Sequence, residues 1–168
     1  MPRSLREQIN KDSDFASLEE EAMLNIARTA SMLSGAEHAF FRRFDLSPPA
    51  YNLLRILRGH ARRGEKDGVR ASEIGCQMVV RMPDVTRLVD RLESRGMVAR
   101  KSDSDDRRVK YVRITEKGLK LLERIDPEIV SLGHDVIGHL SDKELRTISV
   151  LMEKARDEQP GHGRKEHP

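Results

Sequence analysis

The chain has 168 residues, of which 35% are charged and 4% aromatic, with no Trp, one Cys and a net charge of +3. That length suits one domain with added helices, and the charge excess over the ~25% usual for globular chains favours helices with wet outer faces. The longest uncharged run is nine residues, 46–54, far short of the ~20 that a membrane helix needs, no basic segment leads into an apolar stretch as a secretory signal would, and a single cysteine closes no intrachain disulfide. A cytoplasmic protein with no membrane partner is expected.

Residues 1–14 are polar and aperiodic and read as a flexible extension. Ser17 followed by Glu20 is a capping box. Met23, Ile26, Ala30, Leu33, Phe40 and Phe44 then mark one face of a long helix over 18–44. At 1.5 Å per residue it would span roughly 40 Å, too much for so small a domain to bury without a partner chain. Ser47-Pro48 opens a second helix, with Ser as N-cap and Pro at the first helical position. It carries Tyr51, Leu54 and Leu57 inward and is expected to end near Gly59. Residues 60–70, HARRGEKDGVR, read as a basic loop. Ser72 is the expected cap of a short third helix through Ile74 and Met78.

Pro83 is expected to open a fourth helix, which Gly96 closes. Val85, Leu88, Val89 and Leu92 give it an apolar stripe. Beyond Gly96 the period shortens to two. Residues 98–102 and 109–115 read as two strands around a polar hairpin tip, DSDDRR. Thr115 caps a long fifth helix through Leu119, Leu122, Ile129 and Val136, with a kink expected at Pro127. Ser141 and Glu144 form a second capping box, opening a sixth helix through Leu145, Ile148 and Met152. The last residues, 158–168, read as a flexible tail.

Charge is unevenly spread. Residues 51–113 hold 16 Lys and Arg against 9 Asp and Glu, while the flanks hold 15 against 19. A basic module between acidic ends is the footprint of a nucleic-acid reader. Two short helices followed by a hairpin with a basic tip is the order of a winged helix-turn-helix. Its second helix enters the major groove. With the apolar stripe inward, Pro83, Arg87, Asp90 and Ser94 fall on the opposite face, flanked by Thr86 and Arg91. Arg87 can grip guanine O6 and N7 with two donors, and Arg91 and Arg95, further back, suit phosphates. An arginine at the tip, Arg107 or Arg108, can enter a narrow minor groove, and Asp106 can hold its guanidinium in place. The candidate DNA contacts are Arg81, Pro83, Asp84, Thr86, Arg87, Asp90, Arg91, Arg107, Arg108 and Lys110. The competing reading of each charge is a solvated surface.

The stretch PDVTRLVDRLESRGMVARKSDSDDRRVKYVRITEKG, residues 83–118, resembles the signature of the MarR family of bacterial transcription regulators. Thr86, Leu88, Val89, Asp90, Leu92, Glu93, Gly96, Val98 and Arg100 match its first part. Asp103, Asp106, Arg107 and Arg108 match its second, and Thr115 and Gly118 its third, with Ile114 in place of a leucine. The resemblance implies a mainly α fold with a small two-stranded β wing. The domain would cover 17–157, with the winged helix-turn-helix core at about 47–115 and dimerisation helices at 17–45 and 116–157. It further implies a homodimer that binds a palindromic operator on double-stranded DNA, usually as a repressor. Many members release DNA when a small aromatic or anionic effector binds between the dimer and DNA-binding regions. Here His38, Phe41, Tyr51 and Arg55 would line such a pocket; ordinary core and rim packing is the competing reading of these residues.

The chain departs from several subtypes. Peroxide sensors carry a cysteine in the first helix, whereas Cys76 lies in the third. Zinc sensors need clustered ligands, whereas His134 and His139 are five apart, not the four that puts both on one helix face. Urate-type members rely on a Trp that is absent here. No metal or cofactor is expected. No Ser-His-Asp, Cys-His or phosphate-loop pattern supports an enzyme. A winged helix used for protein contact alone is the remaining alternative, and the arginines of the fourth helix and hairpin argue against it.

Overall fold

The computed structural model describes residues 3–65, 67–103 and 110–157. Among these residues there are seven helices and three short strands. The chain divides into two compact units, one up to Leu132 and one from Gly133 on.

The first unit begins with α1 (Leu5–Gln8), a single turn within the extension read as flexible. Ser4 and Glu7 close a reciprocal capping box on it, and Leu5 is buried. Next comes α2 (Leu18–Arg42), capped by Ser17, whose Oγ accepts from the Glu20 N–H. The Glu20 carboxylate reaches back one residue further than a capping box requires, to the Ala16 N–H at 2.6 Å. The helix stops two residues short of the expected Phe44. Ser47 and Pro48 start α3 (Pro48–Arg62) as predicted. Gly59 does not end it. His60 on its last turn is buried, with Nδ1 2.6 Å from Glu65 Oε2 and Nε2 3.0 Å from Gln77 Oε1. This polar anchorage extends the helix into the stretch read as loop.

That stretch also holds an unpredicted strand, β1 (Val69–Arg70). It runs directly into α4 (Ala71–Gln77), so the residue at the N-cap position is Arg70, not Ser72, and no side chain caps it. Two residues bounded by glycine and a helix give no alternating pattern to read. Helix α5 (Val85–Ser94) begins after Pro83, not at it. Asp84 is its N-cap, accepting from the Arg87 N–H at 2.9 Å, which satisfies a donor of the first turn that lacks a helical partner. At its other end Gly96 has φ +70°. Gly96 N–H reaches Glu93 O at 2.8 Å and Met97 N–H reaches Leu92 O at 2.9 Å, the paired closure that a left-handed residue allows.

That turn delivers the chain to β2 (Val98–Ser102) and β3 (Lys110–Ile114). The sheet order is β1-β3-β2, antiparallel, with Val98 opposite Ile114 and Val69 opposite Val112. Along β3, Val112 is buried, its neighbour Arg113 on the opposite face is exposed, and Tyr111 and Ile114 are half-buried, while Lys110 at the strand's start is exposed. Thr115 caps α6 (Glu116–Ile137) through Gly118 N–H. The helix continues through Pro127, which removes one ladder hydrogen bond without ending it. The core draws Phe41, Leu53, Leu54, Ile74, Val89, Leu92, Val112, Leu122 and Ile125 from five helices and the sheet.

The second unit holds the end of α6 and α7 (Asp142–Asp157). Ser141 and Glu144 cap α7 reciprocally, as predicted. Its apolar Ile148, Val150 and Leu151 are exposed. No helix among the described residues is long and apolar enough to cross a membrane.

Candidate nucleic-acid interface

Helix α5 buries Leu88, Val89 and Leu92, so its other face is open. Pro83, Asp84, Thr86, Arg87, Asp90 and Arg91 are all exposed, as is Arg81 in the preceding turn. Arg81, Arg87 and Arg91 have no carboxylate within ion-pair distance among the described residues. The Asp84 carboxylate is occupied as the helix cap, so its part in the face is to present α5.

Not every arginine of the signature is free. Arg95, read from sequence as a phosphate contact, ion-pairs with the Asp45 carboxylate at 2.8 Å and also donates to its backbone carbonyl. Asp45 itself sits at φ +53°. Arg100 on β2 turns back to α5. Its backbone N–H donates to Glu93 Oε1 at 3.0 Å, and Nη1 contacts Glu93 Oε2 at 2.9 Å and Asp90 Oδ1 at 2.5 Å. Nη2 donates to the Thr86 carbonyl at 3.2 Å. Sequence reading matched Arg100 to a motif but assigned it no role. The signal available was the pairing of Glu93 and Arg100 across a Gly96 turn.

On the wing, Lys110 is exposed and donates from Nζ to Ser102 Oγ, its partner in the last ladder pair before the loop, at 2.5 Å. Lys101 pairs with Asp67 at 2.7 Å, and Arg70 lies over the Tyr111 ring. Asp106, Arg107 and Arg108 lie outside the described residues.

The expected effector pocket is met in part. A cavity of about 360 Å³ is lined by Phe41, Tyr51 and Arg55, with Pro48, Pro49, Met78 and Ile129 among its apolar walls. Arg55 Nη1 donates to the Tyr51 hydroxyl at 2.8 Å, and the Tyr51 ring packs on Phe41 with centroids 4.5 Å apart. His38 does not line it. That side chain is exposed, with Nδ1 2.8 Å from the carbonyl of Ser34 one turn back, and Glu37 takes its place in the wall. Sequence reading missed Val79 and Val80, which line the cavity while largely exposed, Val79 at 86%. They belong to the turn between α4 and α5.

Residues 46–110 match the family model described as MarR family. The chain is similar to a MarR transcription factor from Planctomyces limnophilus of known crystal structure, at 36% identity and TM-score 0.64, over 83% of this chain and 98% of that one. It is also similar in fold to Sco3205 from Streptomyces coelicolor, a MarR family transcriptional regulator solved in complex with DNA. There the identity is 22% and the TM-score 0.73, over 90% of this chain and 95% of that one. A third likeness of fold is to CouR from Rhodococcus jostii RHA1, solved bound to p-coumaroyl-CoA. The identity is 21% and the TM-score 0.69, over 87% of this chain and 99% of that one.

Proposed function

The chain belongs to the MarR family and is a DNA-binding transcription regulator, not an enzyme, and from that premise we propose that it acts in the cytoplasm as a homodimeric repressor of a palindromic operator. The observation that carries this reading is the open face of α5. Exposed Arg81, Arg87 and Arg91 have no carboxylate partner among the described residues and lie on or beside a capped helix whose opposite face is buried. Arg87 reads a base edge, with Thr86, Asp90 and Pro83 beside it, and Arg81, Arg91 and Lys110 meet phosphates. An arginine of the hairpin tip, Arg107 or Arg108, enters the minor groove, and Asp106 orients it.

Dimerisation is supported by apolar residues left in water on both terminal helices. On α2 they include Leu18 at 81%, Met23 at 70% and Met32 at 53% exposed, and on α7 Val150 and Leu151. Such surface marks an association site. The cavity beside Tyr51 and Arg55 supports a small aromatic or anionic effector. Arg55 can pair an anion, the apolar walls can hold a ring, and Val79 and Val80 connect the cavity to the turn that leads into α5. CouR, a protein of the same fold, was solved with p-coumaroyl-CoA bound.

Selection of bound duplexes from a random pool by the full-length chain tests the proposal. The expected product is an inverted repeat with half-site centres about one helical turn apart, roughly 34 Å. Light scattering should give twice the chain mass at micromolar concentration. A single asymmetric site, or a monomer, overturns it.

A further inference from the structure

Helix α5 has only ten residues, too few to be stable alone, and its buried stripe fixes it to the core by apolar contact. Such contact is non-directional. It holds the helix down but sets its roll about its own axis loosely. Base recognition by a forked guanidinium tolerates only roughly 10–20° of misorientation.

Arg100 supplies a directional constraint. Its contacts fall on Thr86, Asp90 and Glu93, which span two turns along one side of α5. Its own backbone N–H holds the same Glu93 carboxylate that its side chain does. The Arg100 side chain is 24% exposed, more covered than either carboxylate it holds. Strand β2 is locked in turn to β3 by a five-residue register, with Arg100 opposite Val112. A planar fork with fixed donor angles carries orientation in a way a lysine ammonium does not.

We propose that Arg100 is a positioning residue for DNA recognition. It clamps α5 to the wing through Glu93, so that recognition helix and wing reach the duplex as one rigid unit. This rests on the reading of α5 as the helix that enters the groove.

The test uses the full-length chain, the duplex selected by wild type, a scrambled duplex and fluorescence anisotropy over a range of salt concentrations. Glu93→Gln removes an acid beside a polyanion, so charge counting alone predicts tighter binding. The clamp predicts the opposite. Glu93→Gln and Arg100→Gln should each lower the ratio of specific to scrambled affinity by about tenfold, or ~1.4 kcal/mol. The double variant should be no worse than the poorer single one, and the salt slope should stay at the wild-type value. Arg100→Lys, which keeps the charge and stem but not the fork, should lose specificity in the same way. A purely structural role would lower melting temperature and leave the affinity ratio of the folded fraction unchanged.

The inference is overturned if Glu93→Gln binds as well as wild type or better, or if Arg100→Lys keeps full specificity. It is also overturned if Arg100→Gln lowers the salt slope by about one unit, since Arg100 would then be a phosphate contact. Arg87→Ala is the reference. If it lowers the ratio while the clamp variants do not, this inference alone fails. If it leaves the ratio unchanged, the reading of α5 fails too.

Discussion

Arg58 grips both carboxylate oxygens of Asp126, at 2.5 and 2.9 Å, and so joins α3 to α6 through a forked ion pair. Arg58 is buried, while the Asp126 side chain is 38% exposed. The Arg58 guanidinium, bonded to it, holds the Asp126 carboxyl below its usual range, against the opposing effect of its partial burial. A folded-state pKa below the unfolded one adds stability above the unfolded value, near pH 4, and that stability is lost as pH falls through the folded value. Asp126→Asn should therefore cost about 1–3 kcal/mol at pH 7, less than the ~3–5 of a fully buried pair because water screens this carboxylate. The gap between variant and wild type should close on acidification. Thermal melts at neutral pH and at about pH 3 check this, and a gap that persists unchanged in acid refutes the assignment.

Arg91 and Arg95 are one helical turn apart and differ in their partners. Arg91 is exposed and has no carboxylate partner among the described residues, while Arg95 is tied to Asp45. Arg91→Ala should weaken binding to specific and scrambled duplexes alike and lower the salt slope by about 0.9 for one phosphate lost. Arg95→Ala should leave the slope intact and lower the melting temperature instead. Anisotropy titrations at several salt concentrations, paired with melts, separate the two. Equal salt-slope losses would mean that Asp45 releases Arg95 to DNA.

The framework was legible in the sequence wherever local chemistry decides the outcome. Ser17, Ser47, Thr115 and Ser141 are caps in the structure because a side-chain oxygen satisfies a first-turn N–H whatever the tertiary setting. The 85-88-89-92 stripe is inward because a helical period has one buried solution. What could not be read is set by residues distant in sequence. Strand β1 exists because β3 lies alongside it. The end of α3 is set by His60 meeting Gln77, seventeen residues on. His38 and Glu37 are neighbours in sequence, and only the roll of α2 against α3 decides that Glu37 lines the cavity. Arg87, Arg91, Arg95 and Arg100 share one motif and one charge, yet among the described residues the first two have no carboxylate partner and the last two are tied. Composition carries no information about which is which.

Gly118 sits where the start of α6 crosses the turn that follows α5. A Cβ there would lie 2.5 Å from the Met97 carbonyl oxygen and 2.8 Å from Ile114 Cγ1. The first contact is backbone and cannot rotate away, so α6 or the start of β2 must shift. Gly118→Ala should lose about 1–3 kcal/mol, the cost typical of overpacking. Because Thr115 also bonds the Gly96 carbonyl at 2.7 Å, the shift should be felt at the α5–β2 turn. DNA affinity of the folded protein should drop with it. Urea denaturation gives the stability and anisotropy the affinity. A variant as stable as wild type would show that this crossing relaxes without strain.

Arg55 and Tyr51 supply the test of the cavity. The Arg55 guanidinium donates to the Tyr51 hydroxyl and lies over its ring, so its hydrogen-bond partner is neutral, and the Asp126 carboxylate acts on it only at longer range, without an ion pair. An aromatic carboxylate can take that charge as a salt link and place its ring against Phe41, Pro49 and Met78, groups that already line the space. Ligand bound to the folded state alone raises stability as its concentration exceeds Kd, by about 2.7 kcal/mol at a hundredfold excess. Benzoate-type acids at millimolar levels should therefore raise the melting temperature of wild type and weaken binding to the selected duplex. Arg55→Ala should abolish both effects while keeping DNA affinity without ligand, because Arg55 lies outside the α5 face. Tyr51→Phe should retain most of the ligand response, since it removes the hydroxyl and keeps the stacking surface on Phe41. The position of Val79 and Val80 ties the two readouts together. A ligand that fills the cavity must contact the turn entering α5, so thermal stabilisation without loss of DNA affinity would separate the cavity from regulation. A thermal shift of wild-type size in Arg55→Ala would mean that the anion is held by some other group.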